Sequence, residues 1–215
     1  LTIRSAEFSP DGSLIITAGD DGTALVWSAK TGKVAHVLRE HRNAIFSVHV
    51  SPDGRSVLTA GADGLALVWN LQPATVIATL QGHSAGVNSA QFSTDGQRIL
   101  TASDDRTARV WSPAGQPILA ATNQTVAPPA DDSPSATPPP LIEGSPTVIN
   151  EAQFSPDGAR IVLASLNNTA IITDLQGDRP AVALLGHRGP VLSAAFSPDG
   201  RRVATASEDG IVRVW

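Results

Sequence analysis

The sequence predicts an all-β protein assembled from five copies of one small antiparallel sheet unit, and three observations carry that reading. First, one turn recurs in steps of 42 residues, as Phe8-Ser9-Pro10-Asp11-Gly12, Val50-Ser51-Pro52-Asp53-Gly54 and Phe92-Ser93-Thr94-Asp95-Gly96. The same turn returns at Phe154 to Gly158 and at Phe196 to Gly200, again 42 apart. A fixed period of this length marks a repeat architecture, because a single unit is too small to bury its apolar face and must stack on neighbours. Second, Val-Trp pairs ending at Trp27, Trp69, Trp111 and Trp215 keep the same register, and the fourth unit puts Thr173-Asp174 at that place. Third, the residues between turns are short, β-branched runs, as in Arg201 to Ala206 and Ile211 to Trp215, split by Glu208-Asp209-Gly210. This patterning belongs to strands and leaves almost no room for helix.

Each unit therefore reads strand, turn, strand, turn, strand, loop, strand. The Ser-Pro-Asp-Gly turn suits its place, since Pro presets φ at the second turn position and Gly accepts the positive φ that follows. In the first unit the strands fall at residues 1 to 8, 13 to 18, 23 to 28 and 33 to 39. The second repeats them at 44 to 50, 55 to 60, 65 to 70 and 74 to 80. The third uses 86 to 92, 97 to 102 and 106 to 111, with a weak outer strand at 117 to 121 whose Pro117 fits an edge position. The fourth offers 148 to 154, 159 to 164, 169 to 174 and 181 to 185, and the fifth ends with its third strand. The units so defined are 1–40, 41–82, 83–122, 145–186 and 187–215 of a single domain.

One interruption breaks the period. Between the third and fourth units the step is 62 residues, so twenty are inserted, and nine of the chain's sixteen prolines lie between Pro113 and Pro146. A Pro-rich stretch has few ladder donors and buries too little to offset its ordering entropy, so residues 123–144 are expected to be disordered or extended. A surface loop accepts such length at small cost.

These residues resemble the WD-repeat β-propellers, in which four-stranded sheets pack around a central channel. The family signature sets a His before the first strand, a Ser/Thr ending the second, an Asp in the next turn and a Trp ending the third. Three sets are present: His41, Thr59, Asp63, Trp69; His83, Thr101, Asp105, Trp111; and His187, Thr205, Asp209, Trp215. The first unit keeps Thr17, Asp21 and Trp27. The fourth departs at all four places, read as Ser145, Leu163, Asn168 and Thr173, and is expected to be the least rigid. The resemblance implies that Asp and His bridge two turns while Ser/Thr passes the hydrogen bonds to Trp. It also implies a ring of seven or eight units, so that a stretch beginning at Leu1 and stopping at Trp215 reads as part of a longer chain. The first and fifth units would then show uncovered apolar faces, which favours self-association.

His, Asp and Ser/Thr are also the residue types of a hydrolase triad. A triad occurs once, beside an oxyanion hole, whereas this set recurs at equivalent positions with a Trp whose indole N–H needs an acceptor. The structural role is the expectation, and the catalytic residue set is expected to be empty. No metal site or cofactor is expected either, since His36, His41, His49, His83 and His187 lack paired ligand spacing and no Walker or GxGxxG motif opens a helix. Zero cysteines exclude disulfides and thiolate chemistry. A net charge of −5 with dispersed Lys and Arg disfavours nucleic acid. No apolar run approaches the roughly 18 residues that span a membrane and no secretory signal is visible, which gives a cytoplasmic expectation. Hydrophobic residues make up 41% at a mean hydropathy of +0.01, enough for a buried core.

A rigid disc with variable turns describes a binding platform. The leading expectation is a non-catalytic protein-interaction scaffold or sensor propeller within a larger protein, with a protein or peptide partner and further blades or domains in the same polypeptide. The alternative is a propeller that gates or regulates a fused enzyme such as a peptidase or NTPase. By resemblance, contacts fall on the rim of the His and Asp turns. The variable positions there are Asp20, Arg42, Asn43, Ala62, Ser84, Asp104, Arg188 and Glu208.

Overall fold

The computed structural model describes residues 2–118, 142–143, 147–177 and 179–215, and every element among them is a β-strand. The first sheet contains β1 (Ile3–Phe8), β2 (Leu14–Gly19), β3 (Ala24–Ser28) and β4 (Val34–Leu38). The second contains β5 (Ile45–Val50), β6 (Ser56–Gly61), β7 (Leu65–Leu71) and β8 (Ala74–Gln81). The third is built from β9 (Val87–Phe92), β10 (Ile99–Ser103), β11 (Thr107–Trp111) and β12 (Ile142–Glu143). The fourth holds β13 (Ile149–Phe154), β14 (Arg160–Ser165), β15 (Ala170–Asp174) and β16 (Val182–Leu184), and the fifth β17 (Val191–Phe196), β18 (Val203–Ser207) and β19 (Val212–Val214). Each sheet is an antiparallel meander in chain order, and the fifth has three strands.

The first strand of each sheet lies beside the first strand of the next, in the series β1, β5, β9, β13, β17. Four apolar clusters fill the four junctions. Ile16, Ala24 and Val26 of the first sheet meet Ile45, Val50 and Val57 of the second. Leu58, Ala66 and Val68 of the second meet Val87, Phe92 and Ile99 of the third. Leu100, Ala108 and Val110 then meet Ile149, Phe154 and Ile161, and Val162, Ala164 and Ala170 meet Val191, Ala194 and Val203. The core is therefore between the sheets, as expected of units that cannot bury a face alone. The series is open, and the outer faces of the first and fifth sheets are exposed.

Side-chain to backbone bonds also cross every junction. Ser5 Oγ accepts from Val48 N–H at 3.2 Å, Ser47 Oγ from Ala90 N–H at 3.4 Å, Ser89 Oγ from Ala152 N–H at 3.2 Å, and Glu151 Oε2 from Ala194 N–H at 3.2 Å.

Two expectations need correction. Residues 142–143 of the insertion form an outer strand of the third sheet, β12, where none was expected, with Thr107 opposite Glu143 and Ala108 opposite Ile142. Pro117 makes a single bridge with Trp111, and residues 119–121 lie outside the described residues. Beside that bridge, Ile118 N–H donates to Val110 O at 2.9 Å. Of the Pro-rich insertion 123–144, residues 142–143 thus pair in the sheet, and the rest lies outside the described residues. The second correction concerns the fourth unit. The place of the turn Asp belongs to Asn167, whose Oδ1 accepts from Thr169 Oγ as Asp105 Oδ1 accepts from Thr107 Oγ. Asn168 is one residue further on, at φ 69°, where other units place Gly22, Gly64 and Gly210. Asn tolerates this left-handed region better than most residues, and the 62-residue step from Asp105 falls on Asn167 rather than Asn168.

Candidate functional site

Turn chemistry differs between the two ends of the sheets. At one end, Ser9, Ser51, Ser93, Ser155 and Ser197 each donate their hydroxyl to the Asp two residues on, and accept a backbone N–H from the start of the second strand. The Ser hydroxyl is the main reason that all five of these carboxyls are held below the usual range, with Asp11 at about 2. The Ser and Asp bonding of this rim is the same in all five units, while the residue after the turn Gly varies as Ser13, Arg55, Gln97, Ala159 and Arg201.

At the opposite end, the second, third and fifth units build a four-residue relay. Trp69 Nε1–H donates to Thr59 Oγ1 at 2.9 Å, His41 Nε2 lies 2.8 Å from the same oxygen, and His41 Nδ1 is 2.9 Å from Asp63 Oδ2. The corresponding distances are 2.9, 2.7 and 2.8 Å through Trp111, Thr101, His83 and Asp105, and 2.9, 2.7 and 2.9 Å through Trp215, Thr205, His187 and Asp209. The first unit keeps the Trp27 to Thr17 bond at 2.8 Å, and Asp21 accepts from Thr23 N–H.

Proton placement follows from donor inventory. An indole N–H only donates, so it occupies a lone pair of the Thr oxygen, and the Thr proton is left for His Nε2. The His then carries its proton on Nδ1 and donates it to Asp. Burial holds His83 below its ordinary value despite the pull of Asp105, which favours this neutral ring. Burial pushes Asp105 up, but bonds from Thr107 and His83 outweigh it and leave the carboxyl below its usual range. Asp209 is also lowered, chiefly by the Arg188 backbone N–H.

The relay has the order of a hydrolase triad, yet it cannot present a nucleophile in the same way. The Thr59, Thr101 and Thr205 side chains are buried, and each hydroxyl oxygen is already occupied by an indole. Among the described residues no cluster of His, Cys, Asp and Glu has the geometry to hold a metal.

What the relay does is pin one turn against another. The Asp carboxylates also accept the backbone N–H groups of Arg42, Ser84 and Arg188, at 3.0, 3.1 and 2.9 Å, so these residues are fixed at the backbone while their side chains are exposed. Neighbouring turns touch along the rim. A Cβ on Gly22 would stand 2.9 Å from Asn43 O, and one on Gly64 would stand 3.2 Å from Ala85 O. Of the eight expected rim positions, Asp20 is held by Arg4 at 2.6 Å and Asp104 by Asn88 at 2.7 Å. Ala62 is half-buried, and Arg42, Asn43, Ser84, Arg188 and Glu208 are exposed.

Sequence reasoning missed a groove of about 750 Å³ beside Arg42, walled by Leu65, Leu67, Trp69 and Val76 and bordered by Glu40 and Gln81. The signal was present. In the third and fifth units the residue before His is Gly82 or Gly186, close to the side chains of Arg109 and Trp111 or of Arg213 and Trp215. The second unit has Glu40 and Leu67 at those two places, and the shorter Leu leaves the space open.

Comparison with protein families finds a match to the family described as WD domain, G-beta repeat, over residues 1–28, 32–70, 74–112 and 179–215. The matched segments cover more than half of the chain and pass over the insertion and most of the fourth unit, where the relay is absent.

Proposed function

The chain belongs to the WD-repeat family, whose repeats build β-propeller scaffolds for protein interaction, and we propose that it binds a protein or peptide partner on the rim of its His and Asp turns. The observation that supports this rim is its contrast with the opposite one. The Ser and Asp turns repeat one chemistry five times, whereas the relay rim carries Arg42, Ser84, Arg188 and Glu208 at equivalent or adjacent places. Specific recognition needs side chains that differ, held on a backbone that does not move. The relay supplies the rigid backbone, and the groove beside Arg42 supplies an apolar wall next to a cation and an anion. A peptide with an apolar anchor flanked by acidic residues fits that arrangement.

Proteins that co-purify with the chain from its source cells test the reading. Arg42→Glu combined with Arg188→Glu should lower their recovery at least about tenfold, as expected for reversing charges in an interface. Arg55→Glu, on the opposite rim, should leave recovery unchanged. Equal recovery with all three proteins would remove the relay rim from consideration.

A further inference from the structure

The groove beside Arg42 is the place where the second unit departs from its neighbours. It follows β7 and β8 on the face turned to the first sheet, where Leu67 and Trp69 pack with Ile16, Val26 and Leu38. Other units close the same place with their own side chains. In the third, Arg109 stands where the second has Leu67, and its Nη1 lies 3.1 Å from the position of the Cβ that Gly82 lacks. In the fifth, Arg213 donates from Nη2 to Gly186 O at 2.9 Å. In the fourth, Ile171 is buried in a cluster against which Ile118 packs. The second unit has the shorter Leu67, and it carries Glu40 where the third and fifth have glycine, so the space stays open with a charge beside it.

The lining sorts into two kinds of surface. Leu65, Leu67 and Trp69 alternate along one face of β7, so neighbouring wall residues stand about 6.7 Å apart at the rise of a strand. Three wall residues at that spacing leave two gaps. An extended peptide has the same period, so two of its side chains, at positions i and i+2, can enter those gaps together. The rest of the lining is polar and unpaired. Thr79 and Gln81 of β8 are exposed, and among the described residues their side chains form no hydrogen bond. Nor do the Glu40 carboxylate and the Arg42 guanidinium form a hydrogen bond or ion pair among those residues. A helix satisfies its own backbone and would leave Thr79 and Gln81 unused, whereas an extended chain brings N–H and C=O groups that these side chains can meet. Of the two charges, Arg42 is the better held, because Asp63 fixes its backbone N–H at 3.0 Å. The cation therefore selects a carboxylate, and Glu40 is left to accept an N–H of the incoming chain.

We infer that the groove takes an extended segment of a partner protein, with two apolar side chains two residues apart seated between Leu65, Leu67 and Trp69, and a flanking carboxylate on Arg42. This rests on the reading that the relay rim binds a partner. It makes Leu67 the residue that sets specificity, since an Arg at that place would fill the gaps, as Arg109 does in the third unit.

Fluorescence anisotropy with the 215-residue chain and a labelled peptide, Gly-Asp-Leu-Ser-Leu-Asp-Gly, tests this. The peptide should bind at least about tenfold more tightly than versions with its leucines adjacent or four residues apart, and than a version with Lys in place of both Asp. Arg42→Glu should reverse the preference for Asp over Lys. Leu67→Arg copies the third unit, and Thr79→Trp fills the groove from an exposed position outside the core, so each should weaken binding at least about tenfold. The melting midpoint of Thr79→Trp should stay near that of wild type, which separates a blocked groove from a damaged fold. Equal binding of the spaced and adjacent versions, tighter binding of the version with leucines four apart, unaltered binding by Thr79→Trp, or binding of no peptide would overturn the inference. Recovery of co-purifying proteins keeps it distinct from the rim reading. If Thr79→Trp recovers them as wild type does while Arg42→Glu with Arg188→Glu loses them, the rim stands and the groove is overturned.

Discussion

The third and fourth sheets face one another across a junction and solve the same packing problem with different interiors. In the third, Thr101 is a buried hydroxyl shared between His83 and Trp111. In the fourth, its place is taken by Leu163, fully buried against Ile149 and Ile161, and Thr173 stands where the Trp would be. Both sheets nevertheless have four strands in the same order, and the first three keep matching registers. The relay is therefore not what makes a sheet. Apolar packing across the junctions does that, and the relay pins the turns at one rim. A buried polar network stabilises only when each member is satisfied, so a unit can carry the whole relay or replace it with an apolar side chain, and an incomplete set is the costly state.

The largest expected effect breaks this comparison at the Trp. Trp69→Ala removes a buried indole from the junction and leaves Thr59 and His41 without their full complement, at a cost of about 3 to 5 kcal/mol in denaturant melts. Thr173→Ala, at the equivalent place in the fourth unit, should stay near the roughly 0.5 kcal/mol of a surface substitution. Equal losses at the two sites would show that the indole has no special part. Next, Thr101→Val keeps the shape but leaves the indole N–H and His83 Nε2 buried without their partner, for about 1 to 3 kcal/mol. The reciprocal change, Leu163→Thr, buries a hydroxyl with no relay to join and should cost a similar amount. If Leu163→Thr were neutral, the fourth unit would have to hold a partner for it.

Acid sharpens the comparison. His83 is lowered in the folded chain, so the unfolded state binds the proton more tightly, and stability is fully present above the ordinary His value of about 6.5 and declines as pH falls below it. Asp105, also lowered, adds to the decline once pH falls below about 4 and on through its folded value. The melting midpoint should therefore drop between pH 7 and 5 in wild type and drop less in His83→Gln. An identical pH slope in both proteins would contradict the neutral ring assigned to His83. The smallest expected effect lies in the turns that the relay fixes. Arg106 sits at φ 73°, where Gly22, Gly64 and Gly210 occupy the other units, so Arg106→Gly should stabilise by up to about 1 kcal/mol. Asn168→Gly, at φ 69°, should gain less, because Asn already tolerates that region.

The repeat and the strand order could be read from the sequence by itself, because a fixed period places identical residues in identical surroundings and short β-branched runs between turns admit one local structure, and the members of three relays followed from the resemblance to the WD-repeat signature. The groove beside Arg42 was written in Glu40 and Leu67, but its meaning depends on knowing that Arg109 and Arg213 lie close to the Gly82 and Gly186 positions elsewhere. Only the tertiary structure decided that Ile142–Glu143 completes the third sheet, since an edge strand is chosen by whichever segment the chain can return to β11, across an insertion whose composition carries no strand pattern. It alone assigned φ 69° to Asn168, whereas the 62-residue step from Asp105 already falls on Asn167, whose bond from Thr169 matches that of Asp105 from Thr107. The pairing of Arg98 with Phe154 and of Arg160 with Phe196 likewise joins residues more than thirty positions apart, and it was visible only once neighbouring sheets had brought a cation over the next unit's ring.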